Sequence, residues 1–393
     1  MKGNKSLKIR KGWIIACAFL AVVAIFAAFS PVENAKAAPA TINDPVKIAA
    51  QQGGLDNAAC LGCHGKPDVS ATIGSDTFSV TIDPTLYDAS VHGSNTLACT
   101  DCHADITEYP HPAQTVQTRK EYSVKSSEVC QQCHQDQFTQ QQDSIHFLAY
   151  STGNSIAPTC TDCHNPHTQG YLRDKNGTLL EDGRVNIPTT CSKCHNEIYK
   201  QYTDSVHGKG VTVGGNPDTP TCTDCHNVHD IQAVDAAFKL RSPNICAECH
   251  TDKQIMDKYG ISTNVMNTFV SDFHGTTVTI FEKTSPDQLT NKPVCIDCHG
   301  VHDITLTDDP QNGLQLKSNL LKTCQKCHPD ANANFPASWM SHYDASTKND
   351  PLVFYVNLFY KIMIPLVIGA MAFFVLTDIV RTQIEKRKGG KHS

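Results

Sequence analysis

Residues 222–229 read Cys222-Thr-Asp-Cys225-His226-Asn-Val-His229. Two thiols three positions apart are followed at once by an imidazole, and a second imidazole comes three positions later. The first five residues of this pattern recur through the 393-residue chain as Cys60-Leu-Gly-Cys63-His64, Cys99-Thr-Asp-Cys102-His103, Cys130-Gln-Gln-Cys133-His134, Cys160-Thr-Asp-Cys163-His164, Cys191-Ser-Lys-Cys194-His195, Cys246-Ala-Glu-Cys249-His250, Cys295-Ile-Asp-Cys298-His299 and Cys324-Gln-Lys-Cys327-His328. The nine motifs take up eighteen of the nineteen cysteines, and none lacks its histidine.

Two thiols one short turn apart can form thioethers to the two vinyl groups of one haem, and the next residue then sits beneath the iron as proximal ligand. The motif count therefore predicts nine covalently attached haems of the c type. Zinc knuckles, disulfides and thioredoxin-like redox pairs also use C-x-x-C, but none requires a histidine after every pair, and an odd number of units cannot pair into knuckles. Composition points the same way. Aromatic residues are 7% and charged residues 18%, while Cys and His each number 19, so side chains are a poor filler for two or three ordinary cores. The expected fold class is mainly α and irregular, with short helices and loops wrapped around a haem-filled core.

Internal repetition supplies candidates for the sixth ligand. Without the nine proximal histidines and His392 in the basic tail, nine histidines remain. Five lie in a Ser-x-His setting or close to it: His92, His146, His207, His274 and His342. Three follow a proximal histidine by three residues: His167, His229 and His302. The ninth, His111, fills the same slot but stands eight residues after His103. Repeat units start near residues 60, 130, 191 and 246, and a half unit covers 324–342. Each full unit brings two motifs and two spare histidines, and the half unit brings one of each. That balance makes all nine candidates for distal ligands. In H-x-x-H the two histidines are read as sharing one helical face, so the second should serve a neighbouring haem. Loops rich in Gly, Pro, Asn and Thr, at 174–188 and 210–220, are expected to separate the units.

Lys2, Lys5, Lys8, Arg10 and Lys11 precede an apolar run from Trp13 to Phe29 that ends near Ala35-Lys36-Ala37. Residues 1–37 thus read as a secretory signal or a retained N-terminal anchor. Cys17, inside that run, reads as a small apolar residue. Leu352 to Thr377 reads as a membrane span, broken by Asn357 and Lys361 and followed by Arg381, Lys386, Arg387, Lys388 and Lys391. The expected organisation is a periplasmic nonahaem domain over 38–350, a transmembrane helix over 351–380 and a cytoplasmic tail over 381–393. Neither hydrophobic segment contains histidine, so a membrane haem would have to come from a partner. Residues 38–350 hold 21 Lys and Arg against 36 Asp and Glu. A surface this acidic argues against nucleic acid and favours a redox partner with a basic face.

Over about residues 60–342 the motifs and spare histidines resemble the multihaem cytochrome c group that includes cytochrome c3, cytochrome c7 and the NapC/NirT-type quinol-linked cytochromes. The resemblance implies an electron carrier without catalytic residues. Bis-histidine ligation leaves no open coordination site and favours low reduction potentials. The expected role is a relay at the inner membrane, between a cytochrome b or other quinol-oxidising partner and periplasmic or extracellular acceptors. A nitrite- or hydroxylamine-type oxidoreductase would need one open iron, and nine motifs matched by nine spare histidines leave no obvious one. A subunit of a cytochrome filament is the third reading, against which the C-terminal apolar helix counts.

Overall fold

The computed structural model describes residues 56–111, 114–285, 292–336, 342, 344–348 and 350–389. The expected leader at 1–37, Cys17 within it, Ser341 beside His342, and Lys391 and His392 in the tail lie outside these residues. Helices carry most of the regular structure, from four residues at Val91–Ser94 to fifteen at Ala236–His250 ahead of the 39-residue last helix Pro351–Gly389. The only strands among the described residues are Ser70–Ile73 and Asp76–Ser79, paired antiparallel. Gly74 turns them with φ +61°, a conformation glycine adopts freely. The fold is thus mostly short helices and loops.

Side-chain caps set where many of these helices begin. Asp56 accepts from the Ala58 N–H, Asp83 from Thr85 and Leu86, Thr118 from Glu121, and Asp235 from Phe238. Each satisfies backbone donors that the first turn leaves unpaired. Apolar side chains bury little among themselves: Leu240, Val278 and Val294 form the one buried cluster described, with Phe269, Phe281 and Ile296 against it.

The two expected loops are partly helical. Residues 174–180 do form a turn, closed by the Arg173–Leu179 bridge, but Glu181–Ser192 is a helix that runs through Pro188. Glu181 and Asp182 favour its N-terminus through the helix dipole. Burial of Pro188 and Gly183 offsets their poor helix propensity, about 3 and 1 kcal/mol. Likewise Val206–Thr212 is helical, so only 213–220 is left as a turn region.

The last helix, Pro351–Gly389, outlasts the apolar run. Beyond Thr377 its residues are charged yet good helix formers, and Arg381 and Glu385 pair at 2.9 Å one turn apart. Its 37-residue stretch Pro351–Arg387 is long and apolar enough to cross a membrane. At 1.5 Å per residue it measures about 55 Å, against about 30 Å of hydrocarbon, so both ends would protrude.

Candidate cofactor sites

Every Cys-x-x-Cys-His segment is wound into a tight turn. The backbone N–H of the histidine donates to the carbonyl of the first cysteine at 2.9 Å for His103–Cys99, 2.8 Å for His134–Cys130 and 2.9 Å for His195–Cys191. One helical turn therefore brings both thiols and the imidazole to one side. Within each unit the turn is built in two ways. First motifs end a longer segment, as in Asn57–His64, Glu181–Ser192, Ala236–His250 and Lys317–Gln325. Second motifs begin a short helix and need a cap of their own.

That need explains the aspartate in Cys-x-Asp-Cys. Asp101, Asp162, Asp224 and Asp297 accept the backbone N–H of Ala98, Thr159, Thr221 and Val294 at 2.7, 2.6, 2.6 and 2.8 Å. Three of them also meet a cation from the helix that leads into the unit's first motif: Lys120–Asp162 at 3.1 Å, Arg184–Asp224 at 3.7 Å and Lys239–Asp297 at 2.9 Å. The two motifs of a unit are thereby tied together.

The Ser-x-His segments share a second device. Ser90, Ser144 and Ser205 are buried N-caps whose Oγ accepts from the N–H of Gly93, Phe147 and Gly208 at 3.0, 3.1 and 3.0 Å. Asp272 caps the fourth, accepting from the His274 N–H at 2.8 Å. The intervening residue bonds outward, into the segment after the H-x-x-H of the following unit: Val91 N–H to Gln169 O at 2.7 Å, Ile145 to Ile231 at 2.8 Å and Val206 to Ile304 at 2.9 Å. The first three units are each stitched to the next at their histidines.

The consequence is that every proximal histidine faces one of the nine spare histidines. The ring pairs are His64–His111, His92–His134, His103–His167, His146–His195, His164–His229, His207–His250, His226–His302, His274–His328 and His299–His342. Their centroids lie between 6.0 and 6.4 Å apart. An imidazole bonded to a metal at about 2 Å has its centroid roughly 3 Å from it, so two rings on opposite sides of one metal stand roughly 6 Å apart. Among the described residues no three His, Cys, Asp or Glu side chains gather as a zinc cage would require. The histidines meet in twos.

Comparison with known families agrees with this geometry. Residues 85–165 match cytochrome c7 and related cytochrome c, and residues 215–255 match the doubled CXXCH motif. The chain is a multihaem c-type cytochrome. No curated protein matches it. Its cofactor is haem c, and cytochrome c7-like domains are electron carriers.

The surroundings hold the rings of this cytochrome in the form a metal needs. His64 Nδ1 lies 3.0 Å from the Val80 carbonyl and His92 Nδ1 lies 2.9 Å from that of Pro166. A carbonyl at Nδ1 fixes the proton there and leaves Nε2 as the donor atom. Burial lowers the pKa of His103, His167, His250 and His299, and takes His207 down to about 4, so each is neutral at neutral pH.

The pairings correct one step of the sequence reading. His167, His229 and His302 each face the histidine of a motif other than their own, but not because they share its helical face. The chain leaves the helix after each motif, with Asn227 at φ +62° and Gly300 at φ +82° turning it away. Sequence reading also missed a wider pattern, aromatic-x-x-Ser/Asp-x-His-Gly, at 87–93, 202–208 and 269–275. The Tyr87 and Tyr202 hydroxyls donate to the Leu97 and Pro220 carbonyls, both at 2.8 Å, and pin the segment that enters the next motif. The recurring aromatic was the available signal.

Proposed function

We propose that the cytochrome holds nine haems through Cys60, Cys63, Cys99, Cys102, Cys130, Cys133, Cys160, Cys163, Cys191, Cys194, Cys222, Cys225, Cys246, Cys249, Cys295, Cys298, Cys324 and Cys327. Proximal ligands are His64, His103, His134, His164, His195, His226, His250, His299 and His328. Distal ligands are His92, His111, His146, His167, His207, His229, His274, His302 and His342. The observation that carries this reading is the meeting of all eighteen histidines two by two at one spacing. Bound haem supplies a one-electron couple. Two histidines at each site would hold the iron and leave no position open for substrate, which would favour electron transfer over substrate binding.

The same proposal places residues 38–350 on the periplasmic side, anchored by Pro351–Arg387, with electrons passing between a quinol-linked membrane partner and periplasmic or extracellular acceptors. Protein matured in a host competent for cytochrome c assembly should gain the mass of nine haems, with nine per chain by pyridine haemochrome; seven or fewer would refute the ligand set. A reporter after Ser393 should be active only when it is a cytoplasmic reporter, and one near Asp344 only when it reports from outside. The reverse pattern would invert the topology drawn from Arg381 to Lys391.

A further inference from the structure

We infer that the nine attachment sites stand in single file in the order of the sequence, so that the chain has one electron-exchanging end at the Cys60 site and the other at the Cys295 and Cys324 sites beside the membrane helix. This rests on the haem-binding reading above and goes beyond it, since the motifs alone do not order the sites.

Contacts between motifs carry the order. Within units, the helix leading into the first motif reaches the second: the Cys99 N–H donates to Asn57 Oδ1 at 2.7 Å, Lys120 pairs with Asp162 at 3.1 Å, Arg184 with Asp224 at 3.7 Å and Lys239 with Asp297 at 2.9 Å. Between units, Tyr122, on the helix leading into the third motif, lies 3.3 Å from His103 Nδ1; Lys193 of the fifth motif donates to the Asp162 carbonyl of the fourth at 3.0 Å; Lys258, after the seventh motif, pairs at 2.8 Å with Asp218, before the sixth; and His342, after the ninth motif, faces His299 of the eighth at 6.3 Å. These eight junctions link all nine motifs, each to its neighbour in sequence. An array in which each unit touches only its neighbours is quasi-one-dimensional.

The ring pairs show how the file ends. Each Ser-x-His histidine up to His274 faces the first motif of the following unit, and His167, His229 and His302 each face the second motif of the preceding unit. The first unit has no unit before it and the last motif has no full unit after it. There the rule reverses: His111 turns back to His64, and His342 turns back to His299. His111 is thus an end piece, which accounts for its odd spacing. At the other end, the residues 343–350 between His342 and Pro351 reach at most about 30 Å, so the Cys295 and Cys324 sites are the ones tethered near the membrane.

The exposed residues Lys66, Lys200 and Lys322 flank the first, fifth and ninth motifs and can be replaced by cysteine in pairs, in a Cys17→Ser background, and spin-labelled. In the fully reduced nine-haem protein, low-spin irons are diamagnetic, so pulsed dipolar spectroscopy reads label-to-label distances directly. Single file requires the 66–322 distance to exceed both 66–200 and 200–322, at about twice either. A 66–322 distance shorter than either half would overturn the order by showing that the chain folds back. Fewer than nine haems by mass would instead count against the ligand set.

Discussion

His111→Ala should convert one haem in nine from low-spin to high-spin and give the reduced protein new carbon monoxide binding, with the other eight little changed. The ring of His111 stacks on His64 at 6.2 Å with 9° between the planes, so the iron that opens is the one attached at Cys60 and Cys63. The closer motif in sequence, at His103, should keep its partner His167, which stands 6.1 Å away. Electron paramagnetic resonance on both proteins checks the spin count, and peptide mapping of the carbon monoxide-labile haem checks the site. An unmodified protein that already shows a high-spin haem, unaffected by the substitution, would mean that His111 is no ligand and would revive the oxidoreductase reading. High spin at the Cys99 haem would leave the carrier role standing but break the pairing rule.

Gly208→Ala should open a different iron through packing alone. A Cβ on Gly208 would collide with the Tyr202 carbonyl oxygen, and Val211 and the Ser205 cap, both buried, leave no direction for relief. Overpacking of this kind costs about 1–3 kcal/mol. Relief requires the helix Val206–Thr212 to move, and that helix carries His207 toward His250, 6.3 Å away. The expected result is a lower thermal midpoint together with one high-spin haem, the one attached at Cys246 and Cys249. Gly170→Ala, with no atom within 4 Å of its added carbon, is the control and should change neither. A Gly208→Ala protein with all nine irons low-spin would show that the cap segment yields without moving its histidine.

Much of this chain could be read locally. Covalent attachment needs two thiols and an imidazole within one helical turn, and five consecutive residues such as Cys222 to His226 supply them whatever the rest of the fold does. The short-helix architecture follows from the same sequence, because frequent Ser, Thr and Asp caps and the sparse apolar pattern favour brief helices. The long apolar run at Leu352–Thr377 is likewise a local property of composition. Partner choice was not local. His92 and His134 are 42 positions apart and His226 and His302 are 76, and only the stitching of Val91 to Gln169 and Val206 to Ile304 sets which rings meet. The helical-face reading of H-x-x-H misplaced the backbone because φ at Asn227 and Gly300 is set by how the next segment must leave. By itself the sequence determined which residues could hold the cofactor; the tertiary structure decided which rings meet, because hydrogen bonds between units, not chain neighbours, bring the imidazoles together.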